Sequence, residues 1–245
     1  MAVPRFLSPL ALSTQLAGEM IELDANAAHH ATRVLRLAVG DALTLFDGTG
    51  GEYEATLMRA DKRGATVRVE RFVPVERESP LRLTLAQAIA ASDAMDSALR
   101  KATELGVEAV QPLVTARSAP MPDGERGEKR VAHWRQVAAA AAEQCGRNRV
   151  PEIAAPRGFR EWIGEWPAAG IVFVPETSQP VGTVAPPTGP LAILIGPEGG
   201  FDARESAAAL ARGFAAARLG PRVLRVDTAV AAAIAVAQAT WGDFR

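Results

Sequence analysis

Leu191-Ala192-Ile193-Leu194-Ile195-Gly196-Pro197-Glu198-Gly199-Gly200 carries an apolar strand straight into a loop of three glycines, one proline and one carboxylate. Glycine takes positive φ without steric cost and lets backbone approach a ligand closely. A second strand, expected over residues 214–219, ends in the turn Leu219-Gly220-Pro221-Arg222-Val223-Leu224-Arg225, which carries two arginines. Two such loops at neighbouring strand ends frame one crevice, and open α/β sheets bind their ligands beyond the carboxyl ends of their strands. The pair therefore points to an α/β protein whose ligand site is built late in the chain. It is not a phosphate-binding Walker loop, because no Lys-Ser/Thr follows the glycines. A dinucleotide fingerprint is also excluded, since the strand expected over 81–90 runs into Ala91-Ser92-Asp93 without a glycine.

Outward from these loops the rhythm is one of alternation. Strands are expected over 81–90, 107–114, 171–174, 191–195 and 214–219, with helices over 94–105, 129–145, 201–212 and 226–241. The first of these helices sets Met95, Ala98, Leu99, Ala102 and Leu105 on one face, with Gly106 placed to end it. Alternation of this kind predicts a mainly parallel sheet covered on both faces. Before Glu76-Arg77-Glu78-Ser79-Pro80 the pattern has period two instead. Leu43 and Leu45, then Tyr53, Ala55 and Leu57, then Val67 and Val69 are separated by glycine turns. They predict a small antiparallel barrel, interrupted by one helix over 25–37. The expected domains are residues 1–75 and 76–245.

Composition narrows the classes. The 245 residues are 48% hydrophobic and 22% charged, with one cysteine and three histidines. No intrachain disulfide is possible, a CxxC metal site is excluded, and a zinc site has little to draw on. The prolines of the first ten residues predict no secretory leader. The alanine-rich tract 226–241 is too short and too weakly apolar for a membrane span, and reads as a buried helix. Net charge is −1, so any affinity for nucleic acid must come from local patches. Residues 117–160 offer one, with nine Lys/Arg against five Asp/Glu, although a solvated helix face has the same composition.

Longer motifs then run in order along nearly the whole chain. They are Pro4-Arg5-Phe6, Arg33-Val34-Leu35-Arg36, Leu45-Phe46-Asp47-Gly48 and Lys101-Ala102-Thr103-Glu104-Leu105-Gly106-Val107. Glu143-Gln144-Cys145-Gly146-Arg147-Asn148-Arg149-Val150-Pro151 follows, and then both carboxy-terminal loops. With these motifs the chain resembles the RsmE family of ribosomal RNA methyltransferases, of the SPOUT class. The resemblance implies a PUA-like, RNA-binding barrel followed by a knotted α/β domain that binds S-adenosylmethionine (SAM) and forms a homodimer. It implies N3 methylation of one uridine in 16S ribosomal RNA, with the small ribosomal subunit as partner. The setting it implies is the cytoplasm, with neither membrane nor metal.

By this resemblance the cofactor positions are Ile195, Gly196, Pro197, Glu198, Gly199 and Gly200 in the first loop. Leu219, Gly220, Arg222, Val223, Leu224 and Arg225 form the second, and Val174, Pro175 and Glu176 a third wall. Uridine N3 carries a proton at neutral pH, and its loss spreads negative charge onto the flanking carbonyl oxygens. Arginine or N–H donors placed there stabilise the transition state, and Arg225 is the candidate. Glu198 is read three ways: it accepts the N3 proton, faces the sulfonium, or fixes its own loop through backbone N–H groups. Asp227 and Thr228 read as helix caps. For RNA the matching positions are Arg5, Arg33, Arg36, Arg147 and Arg149, whose guanidinium forks suit phosphate, and Asn148, which suits a base edge. His29 and His30 read as surface or packing residues.

Two stretches depart from the family pattern. Relatives carry basic residues and a glycine before the methionine of the first catalytic-domain helix, where this chain has Ala91-Ser92-Asp93-Ala94-Met95-Asp96. After Arg225 the chain continues Val226-Asp227, where Thr-Glu is usual. Two alternatives therefore stand beside the main reading: a related SPOUT enzyme with another RNA target, and a non-catalytic ribosome assembly factor that kept the fold.

Overall fold

The computed structural model describes residues 3–8, 11–12, 17–61, 64–174, 177 and 179–244. The chain forms two units, Met1–Glu78 with Ala142–Val150, and Ser79–Ala141 with Pro151–Arg245. The second visit to the first unit, at 142–150, lies outside the single break expected near residue 76.

In the first unit, β1 (Arg5–Leu7) and β2 (Met20–Glu22) precede α1 (Ala25–His29), and β3 (Ala42–Phe46), β4 (Glu52–Asp61) and β5 (Gly64–Val73) follow. They form one sheet in the order β1-β3-β4-β5-β2. Period-two patterning does the work: Tyr53, Ala55 and Leu57 of β4 and Ala65, Val67 and Val69 of β5 turn inward onto Leu43, Leu45 and Phe6. The expectation of a wholly antiparallel unit needs one correction, because β1 pairs parallel to β3. The long intervening chain, with β2 and α1 in it, supplies the crossover a parallel pair requires. The helix expected over 25–37 is also shorter. Asp24 caps it by accepting from the N–H of Asn26 and Ala27. It then widens into a π-helix over His30–Val34, with Leu35 N–H donating to the His30 carbonyl.

The second unit runs β6 (Leu83–Ala88), α2 (Ser92–Glu104), β7 (Ala109–Val114), α3 (Gly124–Cys145), β8 (Glu152–Ile153), β9 (Arg157–Gly158) and α4 (Phe159–Glu165). It continues with β10 (Ala169–Phe173), β11 (Leu191–Ile195), α5 (Ala203–Ala211), β12 (Ala215–Ala217) and α6 (Val226–Trp241). The last turn of α3 belongs to the first unit. The sheet has the order β12-β10-β11-β6-β7-β8, with β9 beside β7, and every pair is parallel. All five residues of β11 are buried, as a strand covered on both faces must be. On α2, Met95, Ala98, Leu99 and Ala102 are buried as the helical period requires, and Gly106 closes the helix at φ 83°. Fully buried Gln238 ties α6 to this end of α2, donating to the Leu105 carbonyl and accepting from Ser79 Oγ.

The chain enters this sheet in its interior at β6, with β7 on one side and β11 on the other. The carboxyl ends of β6, β7, β10, β11 and β12 consequently share one rim. Among the described residues no helix is long and apolar enough to cross a membrane, and no group of three or more His, Cys, Asp or Glu is placed to hold a metal ion.

Candidate active site

A cleft of about 950 Å³ opens on that rim. Its walls are the loops after β6 (Ala91, Asp93), β7 (Arg117), β10 (Val174), β11 (Ile195 to Phe201) and β12 (Arg218 to Arg225), with the first turn of α6. The two glycine loops read from the sequence therefore meet in one cavity.

The first loop is a tight turn with Gly200 N–H donating to the Pro197 carbonyl at 2.9 Å, and Gly200 takes φ 66°. Gly196 has no room for a side chain, since a Cβ there would stand 3.0 Å from Gly200 Cα. Gly200 is the converse case, with no atom within 4 Å of where its Cβ would project. Glu198 reaches across to the β6 exit, where its Oε1 accepts the Ala91 N–H at 3.0 Å. Ala91 is the N-cap position of α2 and makes no side-chain cap, so Glu198 serves that helix entry as well as its own loop. On the second loop Gly220 repeats the first, with φ 86° and open space at its Cβ position. Arg222, Val223 and Arg225 are exposed, and Arg225 is the N-cap residue of α6. Val174 N–H donates to the Ala217 carbonyl at 3.0 Å, holding the third wall. Pro175 and Glu176 lie outside the described residues.

Neither Asp227 nor Thr228 is the N-cap residue of α6: that place falls to Arg225, which makes no side-chain cap. Asp227, in the first turn, accepts from Lys101 Nζ and Ser97 Oγ on α2 and from the Thr228 N–H. The Lys101 hydrogen bond leads in holding this carboxyl below its ordinary pKa, against a smaller opposing effect of burial. Electrostatically the cleft is lined by four arginines (Arg117, Arg218, Arg222, Arg225) and three carboxylates (Asp93, Glu198, Asp227). Arg117 and Arg218 were not singled out beforehand. The signal for them is their place just beyond the carboxyl ends of strands in one parallel sheet, three residues after β7 and one after β12.

A profile for the RNA methyltransferase domain matches residues 77–238, and one for the RNA methyltransferase PUA domain matches 23–70. Ribosomal RNA small subunit methyltransferase E of Buchnera aphidicola (strain APS) is 30% identical over 219 residues, 89% of this chain and 87% of the relative. That of Mycobacterium bovis is 33% identical over 224 residues, 89% and 85% respectively. The chain belongs to the ribosomal RNA small subunit methyltransferase E family. Among solved structures, the Neisseria gonorrhoeae methyltransferase E bound to SAM is 36% identical with a TM-score of 0.91 over the whole of both chains. A Legionella pneumophila protein in complex with the cofactor SAM is 35% identical with a TM-score of 0.94, again over both whole chains.

Membership of the methyltransferase E family makes the placement of the expected RNA residues instructive. Four of the six are engaged within the first unit. Arg147 is 4% exposed, and its guanidinium grips both oxygens of Glu78. Asn148 is fully buried, donating to the Val75 carbonyl at 2.8 Å and accepting from Arg5. Arg5 also pairs with Glu52 at 2.5 Å, and Arg149 pairs with Glu76 at 2.9 Å while its side chain stays half exposed. Arg77 completes the cluster, donating to Glu52 and to the Gly146 carbonyl, each at 3.0 Å. Arg147, Asn148 and Arg5 thus fasten segment 142–150 to the sheet unit and offer no free fork to a phosphate. Arg33 and Arg36 are exposed. Arg36, at φ 54°, is the one non-glycine residue with positive φ among those described, a conformation disfavoured for a long side chain.

Proposed function

We propose that this chain is a SAM-dependent methyltransferase that modifies N3 of one uridine in 16S ribosomal RNA, on the small ribosomal subunit, as a cytoplasmic homodimer. The observation that carries the reading is the cleft in which both glycine loops converge among four arginines, in a chain of the methyltransferase E family. SAM fits what the cleft offers. Its volume suits a cofactor of that size, Gly200 and Gly220 leave open space where side chains would stand, and the carboxylates of Asp93 and Glu198 in the lining suit a cationic centre. When bound, SAM supplies a methyl group made electrophilic by its sulfonium.

The chain's own residues then have two tasks. Arg225, exposed at the mouth of the cleft and at the start of α6, faces the carbonyl oxygens on which charge develops as uridine N3 is deprotonated. Glu198 holds the loop and the α2 entry through Ala91, so in this reading it positions and does not take the proton. For the RNA, the first unit contributes Arg33, Arg36 and the half-exposed Arg149, while Arg5, Arg147 and Asn148 act as internal fastenings. The dimer is supported by Val223, an apolar residue 87% exposed on the cleft rim, where a second copy would cover it.

Labelled SAM and small subunits lacking the modification test the proposal, with primer extension as the readout. A methyl on N3 blocks the Watson–Crick edge, so one enzyme-dependent stop beside a single uridine is expected. Label transferred without that stop would mean another target or atom, and no SAM binding would favour the assembly-factor reading.

A further inference from the structure

The loop after β7, residues 115–118, is tied both to the first glycine loop and to α5, which follows that loop. Glu205, 6% exposed on the first turn of α5, accepts the Ala116 N–H through Oε1 at 2.8 Å and the Asp202 N–H through Oε2 at 2.9 Å. Asp202 returns the favour, accepting the Glu205 N–H at 2.7 Å and closing a capping box. Next to it, Arg117 Nη1 donates to the Gly199 carbonyl at 2.7 Å. The stem of Arg117 lies on Gly199 so closely that a Cβ there would stand 3.2 Å from Arg117 Cδ.

A helix needs only one carboxylate at its N-cap, and Asp202 already supplies it. A second carboxylate, buried, with one oxygen turned away to a peptide from another loop, does more than cap. A buried carboxylate holding two N–H groups is costly to misplace, so it sets the distance between the β7 exit and the start of α5. Gly199 and Gly200 lie between that fixed point and Glu198, and Arg117 then fixes which way the Gly199 peptide faces. The turn is thus held at Glu198 by the Ala91 N–H and at Gly199 by Arg117, ahead of the helix that Glu205 anchors.

We propose that Glu205 and Arg117 are positioning residues for cofactor binding, which set the Gly199–Gly200 peptide through Ala116 and the Gly199 carbonyl. The inference rests on the assignment of SAM to this cleft. Glu205 is sealed from the cleft by its own burial, so any effect of changing it on SAM must pass through the loop.

Three variants of the full-length protein test this by calorimetry with SAM, thermal melting and the KM for unmodified small subunits. In Glu205→Gln one N–H faces an amide NH2 where an oxygen had accepted it, and SAM is expected to bind roughly tenfold more weakly. Arg117→Ala is expected to weaken SAM by a similar factor with an unchanged melting temperature, since Arg117 is exposed. Arg117→Lys keeps one donor and should recover most of the loss. The KM for the subunit should stay within about twofold in all three. Unchanged SAM affinity in Glu205→Gln and Arg117→Ala, with SAM still bound by the parent, would overturn the inference alone. A subunit KM that rises as much as the SAM Kd would overturn it too, because that is general loosening. A parent that binds no SAM would remove the assignment on which it stands.

Discussion

Glu198 is the only carboxylate within the first glycine loop, and its hydrogen bond to the Ala91 N–H joins two strand exits. A general base and a loop fastener respond differently to conservative change. Glutamine keeps an oxygen that accepts the Ala91 N–H but cannot take a proton, whereas alanine loses both. Glu198→Gln is therefore expected to retain kcat within a few-fold, and Glu198→Ala to lose about tenfold in SAM affinity, the worth of one charge-assisted bond. If Glu198→Gln loses kcat by a hundredfold or more while still binding SAM, the base role is the correct one. Gly200 tests the cradle beside it. Valine at φ 66° pays about 1–2 kcal/mol of backbone strain, and its methyls enter space that no other atom occupies. Gly200→Val should abolish measurable SAM binding in calorimetry yet lower the melting temperature by only a few degrees.

At the level of elements, the end of α3 and the segment after it are the least expected part of the fold. Glu143, in the last turn of α3, accepts the Leu7 N–H of β1 at 2.8 Å, and burial pushes its carboxyl above the ordinary glutamate range. A raised carboxyl pKa means the folded state binds the proton more tightly. Its contribution is favourable below the unfolded value of 4.5 and is lost as pH rises through the folded value. Glu143→Gln keeps the acceptor and removes the buried charge. Its melting temperature should equal or exceed that of the parent at pH 7.5, and the difference should vanish toward pH 4. A lower melting temperature at pH 7.5 would show that the charge itself holds β1. These couplings explain what the sequence hid. The face of α2 and the bounds of α6 were legible because helical period and burial are local properties of neighbouring residues. The partners of Arg147 and Asp227 stand 69 and 126 residues away, and no spacing rule pairs them. An arginine in a basic motif looks the same whether a phosphate or Glu78 waits for it. Strands β8 and β9, two residues each, are too short to carry a period, and α4 is barely two turns.

Across the whole molecule, the proposed ligand tasks divide by unit. The cleft, with both glycine loops, is lined wholly by residues of the second unit. In the first, once the Arg5–Arg147–Asn148 fastening is set aside, exposed basic side chains include Arg33 and Arg36. Between and beyond them Val34, Leu35 and Val39 are also exposed, at 59%, 42% and 61%. Basic forks interleaved with uncovered apolar side chains suit an RNA strand whose phosphates and base faces are both within reach. Because phosphate contacts release counterions, each lost contact flattens the dependence of log affinity on log salt by about 0.7 for a single strand and about 0.9 for a duplex. Arg33→Gln combined with Arg36→Gln should therefore reduce the slope for small-subunit binding by roughly 1.4 to 1.8 and raise KM about tenfold at moderate salt. SAM affinity should not change, since neither residue lines the cleft. Replacing Arg147 should do the reverse: it breaks a buried ion pair and lowers stability by about 3 kcal/mol, but leaves the salt slope of whatever protein still folds unchanged. A salt slope that ignores Arg33 and Arg36 would shift the phosphate contacts to the cleft rim, where Arg218 and Arg222 are the next residues to replace.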